Sequence, residues 1–267
     1  MIFFDAHVHI HDRFSLDDFL TTSLMNFSRQ QKIMNNGDKA SFVLLLTESK
    51  TADYFSRIRL ESEQRSGLLS EKWSINKTDE QESLRLSHAD WPGFPLYIFA
   101  GRQIVTSERL EVLALATACK ISDGLSTQEA IDAVHGQNGI AVLPWGAGKW
   151  LGARGEVIQK IIESGEAGSL FVGDNGGRPT FWAAPKQFDL AARRNIALLP
   201  GTDPLPLSGE DKRVGSYGAS LEGEISEVTP AADFKRLLST SGVDVKPFGA
   251  RMNPFRFFKA QISLRLV

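Results

Sequence analysis

The chain opens Met1-Ile2-Phe3-Phe4-Asp5-Ala6-His7-Val8-His9-Ile10-His11-Asp12, and these residues set what the rest must be. Ile2-Phe3-Phe4 is continuously apolar, the pattern of a strand buried on both faces rather than one alternating between core and water. Three of the five histidines follow, at positions 7, 9 and 11. On an extended chain residues i and i+2 point to the same side, so His7 and His9 leave the end of the first strand in parallel. Two imidazoles emerging together at a strand end suit one divalent metal, with Asp5 or another carboxylate orienting or completing the site. The alternative is a pair of hydrogen-bonded histidines that simply finish the strand.

Working outward, apolar runs recur at 41–46, 96–100, 111–115, 139–143, 169–172 and 195–199, which with the first makes seven candidate strands. Their unbroken apolar character predicts a parallel sheet covered by helices. The connecting segments have helical period. Ser126-Thr127-Gln128-Glu129 has the form of a capping box ahead of Ala130, Ile131, Ala133 and Val134, and Gly136 stands where such a helix stops. Residues 155–163 and 184–194 read as two more helices. The repeated order of strand, helix and strand predicts an α/β barrel or a doubly wound sheet. Residues 48–95 are mostly polar and read as an insertion after the second strand, with a helix at 52–64 and a hairpin of 72–77 with 83–87. After Asp203 a Gly- and Ser-containing loop runs to about 223, followed by a helix at 230–238; the final stretch, 255–267, follows neither a helix nor a strand pattern.

Composition narrows the function classes. The chain has 267 residues, 30 Lys+Arg against 32 Asp+Glu and a net charge of −2, so no single-sign field favours DNA or RNA. This length fits a single barrel domain. Cys119 is the one cysteine, which excludes an internal disulfide and a multi-thiolate zinc site and fits a cytoplasmic protein. The N-terminus carries no leader pattern, and no apolar run approaches the roughly 20 residues of a membrane span. The expected partner is a small anionic substrate, with neither nucleic acid nor membrane.

Phe4-Asp5-Ala6-His7-Val8-His9 resembles the opening His-x-His motif of metal-dependent hydrolase barrels, both the amidohydrolase superfamily and the polymerase-and-histidinol-phosphatase (PHP) family of phosphoesterases. Later segments favour PHP. Residues 97–104 followed by 110–115 resemble its strand with Gly-x-Glu and the nearby His-containing strand. Residues 128–143 resemble its helix and Gly-Gly-x-x-Val-Leu strand, 171–175 its Glu-Val-x-Asn segment, and Leu199-Pro200-Gly201-Thr202-Asp203 its Gly-Ser-Asp-x-His strand end. The resemblance spans residues 1–220 in order. It implies a distorted seven-stranded (β/α) TIM-like barrel of PHP type, a single domain over 1–267 with the insertion at about 48–95 and a C-terminal extension from about 221.

Several family positions are changed. Gln103 stands where a bridging Glu is expected, Glu111 where a His follows, Pro144-Trp145 where a His-Pro is expected, and Leu205 where a His follows Asp203. Glutamine is a poor metal bridge, and Pro and Trp are not ligands. The remaining set, His7, His9 and Asp203, suffices for one divalent metal (Zn, Mn or Fe), or for none if the site has decayed. Asp203 also fits a plain turn, since Gly-Thr-Asp-Pro caps backbone N–H groups well.

The expected function is a metal-dependent hydrolase, a phosphoesterase acting on a small phosphate ester. Arg102 or Arg178 would neutralise the developing charge, Asp12 or Glu48 would act as base, and Lys149, Asn175 and Trp145 would contact substrate. Lys149 lies in Trp145-Gly146-Ala147-Gly148-Lys149-Trp150, a turn suited to an anionic or ring-bearing ligand but equally to capping the core. Asn175 and Arg178 lie in Asp174-Asn175-Gly176-Gly177-Arg178-Pro179, which also reads as a solvated turn. Two other function classes compete: a catalytically decayed, PHP-like binding or structural protein, and an amidohydrolase acting on a C–N bond. No chemistry is expected of His88, His135 or Cys119.

Overall fold

The opening run forms β1 (Ile2–Val8), buried along its whole length. In the computed structural model, which describes residues 1–34, 39–240 and 242–265, β1 lies parallel to β2 (Ser41–Leu46), and β2 parallel to β5 (Leu96–Phe99). Between β1 and β2 runs α1 (Leu16–Ile33). Ser15 caps it by accepting from Asp18 N, and Phe19, Leu20, Leu24 and Phe27 are buried at the 3-to-4-residue spacing of one helix face. After β2 come α2 (Tyr54–Gln64) and a hairpin of β3 (Trp73–Lys77) and β4 (Ser83–His88). The hairpin joins β5 through β4, so much of the polar insertion is an edge of the sheet and not an appendage.

Next are β6 (Gly101–Val105), β7 (Glu111–Leu115), α3 (Thr127–Gly136), β8 (Ile140–Pro144), α4 (Gly152–Ser164), β9 (Leu170–Asn175), α5 (Lys186–Arg193) and β10 (Leu198–Gly201). The capping box on α3 forms as its sequence predicts, with Ser126 and Glu129 exchanging hydrogen bonds. The chain ends with β11 (Tyr217–Leu221), α6 (Pro230–Leu238), β12 (Val245–Gly249) and α7 (Pro254–Arg265). Thus the unassigned 255–267 stretch is helical up to residue 265, and its last two residues lie outside those described. No helix among the described residues is long and apolar enough to cross a membrane.

The strands form two sheets of mixed direction, ordered β12-β11-β1-β2-β5-β4-β3 and β10-β9-β8-β7-β6. This overturns the expected seven-stranded PHP-type barrel: β7 runs antiparallel to both neighbours, β11 is antiparallel to β1, and among the described residues no ladder closes the two sheets into one. The reason lies in the layering. Phe4, Val43 and Phe99 of the first sheet share a core with Leu115, Val142 and Phe171 of the second. On its other face the first sheet packs Phe3 and Phe42 against α1, and the second packs Val112 and Val172 against α3 and α4. Strands with a sheet on one side and helices on the other are as continuously apolar as barrel strands, so the pattern did not distinguish the two. Phe234 of α6 completes the shared core edge-on to Phe4 and Phe99, with centroids 5.2 and 5.7 Å away.

Candidate metal centre

The C-terminal ends of β1 and β10 meet, each from a different sheet. Gly201 is needed there, because a Cβ would fall 2.3 Å from His7 N. Beyond it Asp203 N donates to His7 O at 2.8 Å, and Asp203 itself takes a left-handed φ of 47°. Asp5 fixes this junction. Its buried carboxylate accepts from Thr202 Oγ1 (2.5 Å), Thr202 N (2.9 Å), Gly215 N (3.0 Å) and His7 N (3.2 Å). Burial still pushes its pKa up to about 6 against these four hydrogen bonds. Asp5 therefore orients the site and is not one of its converging donors.

A register shift in the β1–β2 ladder between Asp5 and Val8 re-aims this strand end, and the i, i+2 expectation holds, since His7 Nε2 and His9 Nε2 stand 3.1 Å apart. Asp203 Oδ1 lies 3.6 Å from the first and 3.5 Å from the second. One ligand atom from each of the three residues falls within 4.8 Å of the others. Burial, then the neighbouring His7, lowers the His9 pKa to about 4, so its lone pair is free at neutral pH. Burial alone would raise the Asp203 pKa. The two imidazoles, the Asn175 amide and Arg213 outweigh it and hold the carboxyl below its ordinary value. Asn175 Nδ2 donates to Asp203 Oδ2, which leaves Oδ1 for the imidazoles. The third histidine turns away: His11 Nε2 pairs with Pro204 O at 2.9 Å.

Gln103, on β6, reaches the same point with Oε1 3.2 Å from both imidazole nitrogens. Its Nε2 donates to Glu111 Oε1 at 3.0 Å, and Lys149 Nζ donates to that same oxygen. A carboxylate only accepts, so the amide nitrogen must face Glu111 and its oxygen the histidines. From sequence, Gln103 and Glu111 read as lost ligands. Their pairing across the β6–β7 hairpin leaves no local signature.

A cavity of about 320 Å³ opens in front of these groups, walled by His9, Gln103, Trp145, Lys149, Asn175 and Asp203, with Phe257 of α7 at its side. Two of the expected metal residues, His9 and Asp203, thus share one cavity with the expected substrate residues Lys149, Asn175 and Trp145, while His7 is buried behind its wall. The three residues expected to be catalytic do not line it. Arg178 is buried and doubly bonded to Asp174 (Nε to Oδ1 and Nη2 to Oδ2, both 2.7 Å), with Nη1 on Trp182 O, so its expected clamp role is replaced by a structural one. Arg102 neighbours Gln103 on β6 and by strand alternation faces away, into a separate cavity of about 370 Å³ with Glu48 and Lys120. Asp12 is 96% exposed and accepts from Tyr54 Oη at 2.6 Å. Glu48, its pKa raised by burial, accepts from Phe55 N at 2.8 Å.

No family model matches the chain, and neither does any curated protein. Among solved structures it is similar to the crystal structure of PsfC from Pseudomonas syringae PB-5123, with a TM-score of 0.55, 15% identity, and 98% of this chain and 97% of that one covered. At this identity the likeness concerns the fold alone.

Proposed function

We propose that this protein is a metal-dependent hydrolase that holds one divalent ion on His7, His9 and Asp203 and acts on a small phosphate ester. The observation that carries this reading is the convergence of two imidazole nitrogens and a carboxylate oxygen, 3.1 to 3.6 Å apart, at the wall of a cavity of about 320 Å³. The donor set fits such an ion. Two nitrogens 3.1 Å apart accommodate at most one proton between them, and the nearby oxygens are acceptors too, so a cation is the natural complement of all of them. Neutral imidazole with carboxylate suits Zn, Mn or Fe. Such an ion, when bound, supplies Lewis acidity and a lowered pKa for water.

The chain's own groups divide the remaining work. Asn175 keeps one Asp203 oxygen turned toward the imidazoles. Lys149 brings an ammonium to the cavity wall, the group there best suited to an anionic substrate. Trp145 and Phe257 present apolar surface that limits water around the ester. A lone, exposed Cys119 suits a reducing cytoplasm.

The test is metal analysis of protein purified without chelator or nickel resin, followed by a phosphate mono- and diester panel with added Mn²⁺ or Zn²⁺. One metal per chain and metal-dependent turnover support the reading; no metal and no turnover reject it. A non-catalytic binding protein is the second reading, favoured because neither Asp12 nor Glu48 lines the cavity, which leaves it without the expected base. In that case a phosphate-containing ligand binds the His7→Ala, His9→Ala double variant as tightly as the unmodified protein, because an ammonium contact needs no metal.

A further inference from the structure

We propose that Gln103 Oε1 is a fourth protein ligand of a single ion, held in place by Glu111 and Lys149, with a fifth position left open to water from the cavity. This rests on the reading that His7, His9 and Asp203 hold a metal. An ion about 2.0 to 2.2 Å from its donors holds neighbouring ones roughly 2.8 to 3.8 Å apart in four- or five-fold coordination. Five separations among the four donor atoms measure 3.1, 3.2, 3.2, 3.5 and 3.6 Å, and the two from Gln103 to the imidazoles lie within the range set by the expected ligands. Gln103 is therefore as much a member of the cluster as Asp203.

The direction of the amide points the same way. The cluster already contains a carboxylate oxygen, for which an amide N–H would be the better neighbour in the absence of a cation. Instead the oxygen faces inward, because Glu111 takes the nitrogen. Lys149 donates to that same Glu111 oxygen, so the carboxylate that locks the amide is neutralised at the site. A glutamine also sets the charge. Two neutral imidazoles, one amide and one carboxylate carry −1, so a divalent ion leaves a net +1 facing the cavity, suited to an anionic ester.

The experiment is a Co²⁺ titration of the metal-free, full-length protein, with Zn²⁺ as competitor and a thermal melt of every variant. The unmodified chain should bind one Co²⁺ with the visible bands of a five-coordinate ion, four protein donors and one water. Gln103→Leu should weaken Co²⁺ binding by at least about tenfold and change the visible spectrum of the ion that remains bound. Gln103→Asn, one methylene shorter, should do the same and serves if the leucine variant does not fold. Gln103→Glu should keep the spectrum of the unmodified protein and bind more tightly. Glu111→Gln and Lys149→Met, which free the amide to turn, should weaken binding by less than Gln103→Leu. Folded Gln103 variants that bind Co²⁺ with the unmodified affinity and spectrum overturn the fourth ligand and leave the three-residue centre standing. Unmodified protein that binds neither Co²⁺ nor Zn²⁺ overturns both.

Discussion

Two polar clusters begin at adjacent residues of β9 and differ in how far they satisfy themselves. Asp174 meets Arg178 in two parallel hydrogen bonds and Tyr217 Oη in a third, at 2.7 Å each. Donors and acceptors match, the charges cancel, and all three residues are buried. On the opposite side of the strand, Asn175 reaches the cluster of Asp203, His7, His9 and Gln103. There acceptors outnumber protons, and the group faces a cavity. A buried polar cluster that is complete holds the fold together, whereas one that is short of positive charge invites a ligand. Both look alike in sequence: Asp174, Asn175 and Arg178 share one glycine-rich turn, in which Asn175 and Arg178 were both expected to face the substrate.

The largest expected effect separates the clusters by activity. His7→Ala and His9→Ala should each lower metal-dependent phosphoesterase turnover by orders of magnitude and reduce bound metal, while the metal-free melting temperature changes little. Arg178→Met should give the reverse. It leaves Asp174 buried with Tyr217 as its remaining side-chain donor, a loss of about 3 to 5 kcal/mol by denaturant titration, with metal stoichiometry unchanged. If Arg178→Met instead releases the metal without destabilising the fold, the division between the clusters is wrong.

Acidification provides the next contrast. His9 has a folded pKa of about 4 against an ordinary 6.5, so between those values the unfolded chain binds more protons than the folded one. Stability of the metal-free protein is therefore lost as pH falls from 6.5 through 4, by about 3 kcal/mol from this residue. Asp5 acts in the opposite sense. Its folded pKa of about 6 lies above the unfolded value of 3.8, so its protonation favours the fold as pH falls through 6. Denaturant titrations at pH 7 and pH 4 should give a smaller acid loss for His9→Asn than for the unmodified chain. An equal loss in both would mean that His9 does not carry it.

How much of this was legible depends on the range of the interaction. The parallel aim of His7 and His9 follows from strand alternation, the α3 cap from four consecutive residues, and the β3–β4 hairpin from two short runs. The convergence of Asp203 was expected from neighbouring strands in a closed barrel, and it occurs instead where two open sheets meet. Strand direction was not legible, because burial on both faces looks the same in either arrangement. α1 is absent from the sequence expectation although its signals are plain, with Ser15 at the cap and Phe19, Leu20, Leu24 and Phe27 at helical spacing. Gln103 acquires its meaning only from Glu111 and Lys149, eight and 46 positions away. β11, Tyr217-Gly218-Ala219-Ser220-Leu221, reads as loop because its small residues carry no strand signal. Gly218 is small for a tertiary reason: a Cβ there would lie 2.1 Å from Phe4 O on β1.

That unforeseen strand supplies the smallest and sharpest test, because Tyr217 links it to the self-satisfied cluster. Its hydroxyl donates to Asp174 Oδ2, and burial together with the Asp174 charge raises its pKa far above the ordinary value, so it remains a donor at all accessible pH. Tyr217→Phe removes one hydrogen bond to a charged acceptor while Arg178 keeps both of its own, so the carboxylate is still paired. The expected loss is about 1.5 kcal/mol, well short of that for Arg178→Met. Co²⁺ affinity should not change, because no atom of Tyr217 belongs to the donor cluster. A Tyr217→Phe variant that loses stability as heavily as Arg178→Met would show that the hydroxyl, and not the guanidinium, is what makes burial of Asp174 tolerable. A variant with weakened Co²⁺ binding would show that the two clusters act as one through the backbone between Asp174 and Asn175.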